Sequence, residues 1–98
     1  MRIIAKKALV LYYTEHEDAR TALEDWYDKT ESAEWSNFAQ VRRTFNSADL
    51  VGNNRIVFNI KGNRYRLVAL ILFRTQMVYV RFIGTHKEYD LIKNIESI

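Results

Sequence analysis

The stretch "RIVFNIKGNRYRLVALILFRTQMVYVRFIG", residues 55–84, decides the fold class of this 98-residue chain. It divides into three β-branched and aromatic runs, "RIVFNI", "RYRLVALILF" and "MVYVRFIG", separated only by "KGN" and "RTQ". Loops that short force consecutive strands to run antiparallel, so the segment reads as a meander. The middle run is apolar at both parities from Leu67 to Phe73, which places it at the sheet centre.

The preceding half has helical periodicity. Ala5, Ala8, Leu9, Tyr12 and Tyr13 share one helical face after a short "RII" strand. Thr14 and Glu17 have the spacing of a capping box, opening a second helix that buries Ala19, Ala22, Leu23, Trp26 and Tyr27. A third short helix is expected in "SNFAQVRRTF", capped by Ser36 or Asn37, with Phe38, Val41 and Phe45 inward. "SADLVGNN" then reads as a break. The expected architecture is α+β: two or three helices on one face of a three- or four-stranded sheet, in a single domain spanning 1–98. The place of the first strand in the sheet stays open at this level.

Composition narrows the chemistry. With no cysteine there is neither a disulfide nor a zinc–thiolate site, and two distant histidines do not make a metal centre. No apolar run approaches the roughly 18 residues of a membrane span and no leader pattern is present, so the expectation is cytoplasmic with no membrane partner. Residues 14–34 carry eight acids against Arg20 and Lys29, while residues 35–95 carry ten lysines and arginines against Asp49, Glu88 and Asp90. A basic face follows, suited to an anionic partner or to ordinary solvation.

Helices cover one sheet face, and the other must be solvated, paired or used. Arg64 and Arg66 share parity and are expected on one face of the central strand; whether Asn59 and Arg81 join them depends on register. Arg66 is flanked by Tyr65 and Leu67, and residues 55–84 contain no acid to pair with it. Buried alone it would be costly, so it is expected to border a site for an anion. In "FIGTHKEYD", residues 82–90, Thr85 and Glu88 form another capping box, starting a short helix at His86 with Tyr89 on the same face.

Histidine suits proton transfer near neutrality, arginine fits phosphate oxygens, and tyrosine can donate a hydrogen bond or stack on a base. His86, Tyr89, Arg66, Arg64, Arg81 and Lys61 therefore form a set fit for metal-free RNA cleavage; the same arginines would equally serve plain RNA or ribosome binding. His86 and Tyr89 also have a purely structural reading, as a wetted first-turn residue and a packing residue. His16, among acids, is read as solvated, and Trp26 and Trp35 as core.

The segment "VGNNRIVFNIKGNRYRLVALILFRTQMVYVRFIGTHKEYD", residues 51–90, resembles the HigB branch of the RelE-like toxins of type II toxin–antitoxin systems, and "MRIIAKKAL" and "EDWY" suit the same family. The resemblance implies a ribosome-dependent messenger-RNA endonuclease without cofactors. It also implies a helix-turn-helix antitoxin of the HigA type in a hetero-oligomeric complex, with DNA contacted only through that antitoxin. By position it makes Arg66 the phosphate-contacting arginine, sets His86 and Tyr89 where the family keeps its C-terminal catalytic groups, and matches Lys61 to the family's lysines; Arg64, Arg81 and Asn59 are expected, from the reading of the strands, to bind phosphate with Lys61. RelE proper uses an arginine and lysines, whereas this chain offers His86 and, near the site, only Lys61.

Overall fold

The computed structural model describes residues 1–4 and 6–98. Strand β1 (Arg2–Ile4) leads into helix α1 (Lys6–Glu15), a 3₁₀ turn (Glu17–Ala19), α2 (Arg20–Ser32) and α3 (Phe38–Thr44). Strands β2 (Asp49–Gly52), β3 (Arg55–Ile60), β4 (Tyr65–Leu72) and β5 (Met77–Thr85) follow, then α4 (His86–Asp90) and a 3₁₀ turn (Ile95–Ser97). The sheet order is β1-β5-β4-β3-β2, with β4 central.

The α+β meander holds, but the sheet is larger than expected. It has five strands and is mixed, because β1 pairs with β5 in parallel while β2 pairs antiparallel with β3. A parallel partner needs a long crossover, which the helices and the meander supply. "DLVG" was read as part of a break because it is short and ends in a turn. Asn53 and Asn54 both sit in the left-handed region (φ 46° and 62°), the conformation that closes a tight hairpin and that asparagine tolerates well.

Alternation sorts β4 cleanly. Leu67, Ala69 and Ile71 enter the main core under the helices, while Arg66, Val68 and Leu70 face the other way. The core contains Trp26, Leu23, Phe58, Ile56 and Val41, all essentially inaccessible. An aromatic chain crosses it: Trp26 meets Phe58 edge-on at 5.4 Å, Phe58 meets Phe45 at 5.2 Å, and Phe45 meets Trp35 at 6.1 Å. Both tryptophans are thus core, as expected. Truncating such a ring typically costs about 3–5 kcal/mol.

The helices show one agreement and two corrections. Asn37 caps α3, accepting from the Gln40 N–H at 3.0 Å. The Thr14–Glu17 capping box does not form. The Thr14 hydroxyl donates to the Val10 carbonyl one turn back at 2.6 Å, and α1 continues to Glu15; within a helix that carbonyl is the nearest acceptor. On α1, Leu9 is buried and Tyr12 and Tyr13 half-buried, but Ala8 is exposed, and Ala5 lies outside the described residues.

The far sheet face is partly covered. Val57 and Val68 are buried although they lie outside the main core. The segment after β5 lies over that side: α4 contacts β4, the last 3₁₀ turn contacts β2, and the Arg55 guanidinium donates to the Ile98 main-chain oxygen at 2.7 Å. Among the described residues, no helix is long and apolar enough to cross a membrane.

Candidate functional site

Register places Arg66 opposite Asn59 on β3 and Gly84 on β5, so one row of the far face reads Asn–Arg–Gly. Arg66 is half-buried. Its guanidinium makes contacts of 3.2–3.4 Å to the Asn63 side chain and to the carbonyls of Asn63 and Tyr65, and lies 6.0 Å from the centre of the Tyr89 ring. Among the described residues, no carboxylate comes within ion-pair distance of it. A half-buried cation held only by neutral groups keeps its affinity for an anion.

Gly84 makes room for this row. A Cβ there would stand 2.6 Å from the Phe82 ring and 3.1 Å from the Glu88 carboxylate. The Phe82 ring in turn rests against Tyr89, centroids 6.4 Å apart.

Helix α4 is built by the capping box expected at its start. The Thr85 hydroxyl accepts from the Glu88 N–H at 3.1 Å, and the Glu88 carboxylate accepts from the Thr85 N–H at 2.8 Å. The Thr85 backbone N–H foremost, and then the Thr85 side chain, holds the Glu88 carboxyl below its ordinary pKa. The His86 N–H also donates to the Arg64 carbonyl at 3.1 Å, fastening the helix to the start of β4.

On this helix His86 Nδ1 lies 3.0 Å from an Asp90 oxygen one turn on. With Nδ1–H given to Asp90, Nε2 carries the lone pair that can take a proton, an arrangement in which a carboxylate orients a base. Asp90 was missed in the sequence reading. Its signal was the i, i+4 spacing in "HKEYD", which sets both side chains on one face. Burial, chiefly, pushes the Tyr89 hydroxyl up, with Asp49 and Asp90 adding to the shift and Arg66 opposing it; Tyr89 is therefore a donor near neutrality.

The remaining candidates are elsewhere. Arg64 does not share a face with Arg66: it lies in the turn ahead of β4, where strand parity does not apply. Nor are the hairpin cations without acids. Lys61 Nζ and Arg64 Nε approach one oxygen of Asp18 at 3.4 and 3.5 Å, and the Tyr65 hydroxyl donates to the other at 2.5 Å. The Asp18 carboxyl is held below its ordinary pKa by the Tyr65 bond first. Asp18 comes from the first 3₁₀ turn, so a count confined to residues 55–84 could not find it. Arg81 is the extra residue of a β-bulge: Val68 pairs with Phe82 and Ala69 with Val80, leaving Arg81 exposed between them.

His16 is not the solvated residue expected. It is half-buried, stacked on Tyr12 at 4.0 Å and edge-on to Tyr65 at 6.1 Å, with Nδ1 3.1 Å from the Tyr12 carbonyl. The acids beside it in sequence suggested water, but packing of α1 against β4 decided otherwise.

The structure therefore brings Arg66, Asn59 and Tyr89 together, with His86 on the same short helix as Tyr89. It sets Lys61 and Arg64 on Asp18, and Arg81 alone on the bulge.

Three curated relatives are each 53% identical to this chain over 34 residues: the mRNA interferase toxin HigB of Escherichia coli (strain K12), and the mRNA interferases HigB of Escherichia coli O157:H7 and Shigella flexneri. The aligned stretch covers 35% of this chain and 33% of each relative, about a third of the length of the proteins it matches. A family model described as HigB_toxin, the RelE-like toxic component of a toxin–antitoxin system, matches residues 19–92. That match takes in α2, the whole meander and α4, and by it the chain belongs to the HigB family of RelE-like toxins.

Proposed function

We propose that the protein is an mRNA interferase: a ribosome-dependent, metal-independent endoribonuclease of the cytoplasm, with residues 1–98 acting as one toxin domain. The observation that carries this reading is Arg66, a half-buried guanidinium on the far sheet face with only neutral contacts, beside the Tyr89 ring.

The reaction follows from the groups at hand. The RNA 2′-hydroxyl loses its proton and attacks the adjacent phosphorus; the new O2′–P bond forms as the P–O5′ bond breaks, leaving a cyclic phosphate and a 5′-hydroxyl. Arg66 stabilises the charge on the phosphoryl oxygens, as preorganised cations do in phosphoryl chemistry. His86, oriented by Asp90, transfers the protons, and Tyr89 stacks on or positions the substrate. Asn59 offers an amide beside Arg66, and Lys61, Arg64 and Arg81 attract the strand over a wider area. The ribosome supplies part of the substrate's positioning.

The partner that restrains this activity is an antitoxin of the HigA-like, helix-turn-helix kind in a hetero-oligomeric complex, and contact with DNA runs through that partner. The family's description as the toxic component of a toxin–antitoxin system supports an antitoxin partner.

Induced expression of wild type and Arg66→Ala in a bacterium, followed by mapping of mRNA 5′ ends, tests it. Wild type should arrest growth with new in-frame cuts in translated messages, and the substitution should remove both. Arrest without cuts would replace the nuclease by a protein that blocks ribosomes through binding alone.

A further inference from the structure

Three donors from the β3–β4 hairpin converge on Asp18: Lys61 Nζ, Arg64 Nε and the Tyr65 hydroxyl. They are unequally satisfied. The Tyr65 bond, at 2.5 Å, has the length of a strong charge-assisted hydrogen bond. The two cations stand off at 3.4 and 3.5 Å, well beyond the roughly 2.7–2.9 Å of a good N⁺–H···O⁻ contact. Their side chains are 41% and 66% exposed. Exposed pairs of this kind hold weakly and exchange readily. Asp18 is thus anchored by Tyr65 while the cations are only loosely engaged, and a phosphate brought by a flexible strand could approach both more closely than a carboxylate fixed to the 3₁₀ turn.

We propose that Lys61 and Arg64 form a phosphate subsite for single-stranded RNA, distinct from Arg66, and that Asp18 is the internal anion that occupies it in the free protein. The proposal rests on the reading of the protein as an RNA-acting toxin and adds a second point of contact on the same hairpin. Arg66 projects to the far face of the sheet, whereas Arg64 reaches the helical layer through Asp18. The strand would therefore be held at both sides of the hairpin turn. Glu88, the other acid near this cluster, is occupied by its capping bonds to Thr85.

Asp18→Asn is the discriminating variant, because the amide oxygen can still accept from Tyr65 while the charge is removed. The probe is a fully 2′-O-methylated, fluorescent single-stranded RNA, which cannot be cleaved, titrated at several salt concentrations. One unit charge about 4 Å away in water changes an equilibrium by roughly fivefold, so Asp18→Asn should bind about fivefold tighter. Its log–log salt dependence should steepen by about 0.7, the contribution of one further phosphate contact. Adding Lys61→Ala and Arg64→Ala to Asp18→Asn should remove the gain.

Unchanged or weaker binding by an Asp18→Asn protein that melts like wild type overturns the proposal, as does a gain that survives loss of both cations. The binding readout needs no cleavage. If wild type makes no cuts in cells yet Asp18→Asn binds tighter, the nuclease reading fails and the subsite stands. Cuts by wild type with no change in Asp18→Asn binding leave the nuclease and remove the subsite.

Discussion

Two cation sites sit on opposite faces beside the β3–β4 turn, and they differ in what answers the charge. Lys61 and Arg64 meet the Asp18 carboxylate from another layer. Arg66, on the opposite face of β4, meets only amide and carbonyl oxygens and the Tyr89 ring. Nearness in sequence says little here, since residues 64 and 66 are two apart. What separates them is where β4 begins: Arg66 obeys strand alternation and Arg64 still belongs to the turn. Of these two sites, one is met by a carboxylate from another layer and the other only by neutral groups, so the proposed division of labour between them rests on packing and not on sequence distance.

The largest test of that contrast is on α4. His86→Ala should lower cleavage of translated messages by about 10²–10⁴-fold, the usual contribution of a positioned acid or base, with little change in melting temperature. Asp90→Asn keeps the imidazole but weakens its orientation, and its rate should fall between wild type and His86→Ala; 5′-end mapping under matched expression measures both. Equal rates in all three would move the chemistry to the arginine side alone.

A smaller effect is expected at Gly84. Gly84→Ala places a Cβ into the Phe82 ring and close to the Glu88 carboxylate, so the ring that rests against Tyr89 must shift. Cleavage should fall while Asp18→Asn still changes RNA binding, because the Asp18 cluster lies on the other side of the hairpin. A crystal structure or the aromatic chemical shifts of Tyr89 would show the displaced ring.

The smallest effect is at the cap. Thr85→Ala removes one half of the capping box and should cost about 1 kcal/mol, visible as faster amide exchange at Glu88. The pH dependence has a definite sign. The folded-state pKa of Glu88 lies below its unfolded value of 4.5, so its contribution is present above pH 4.5 and is lost as pH falls through the folded value. Glu88→Gln, which removes the titrating group, should therefore flatten the acid limb of the stability curve, measured by thermal melts between pH 6 and 3, whereas Thr85→Ala, which keeps the backbone N–H, should leave most of it.

Much of this was legible in residue order. Short loops and β-branched runs specify the meander, continuous apolarity from Leu67 to Phe73 specifies its central strand, and Thr85–Glu88 specifies the helix that carries His86 and Tyr89. These are local properties, set by spacing along the chain and by backbone chemistry. So is the His86–Asp90 pair, which was open to reading and was overlooked.

Tertiary structure decided the rest. That β1 runs parallel beside β5, that Asp18 reaches across 43 residues to Lys61, and that His16 lies edge-on to Tyr65 of β4 instead of facing water all depend on tertiary packing. The bulge at Arg81 depends on register with a neighbouring strand. Single-chain patterns carry the periodicity of each element but not the partner across the gap, and it is the partner that separates a cation met by a carboxylate from one met only by neutral groups.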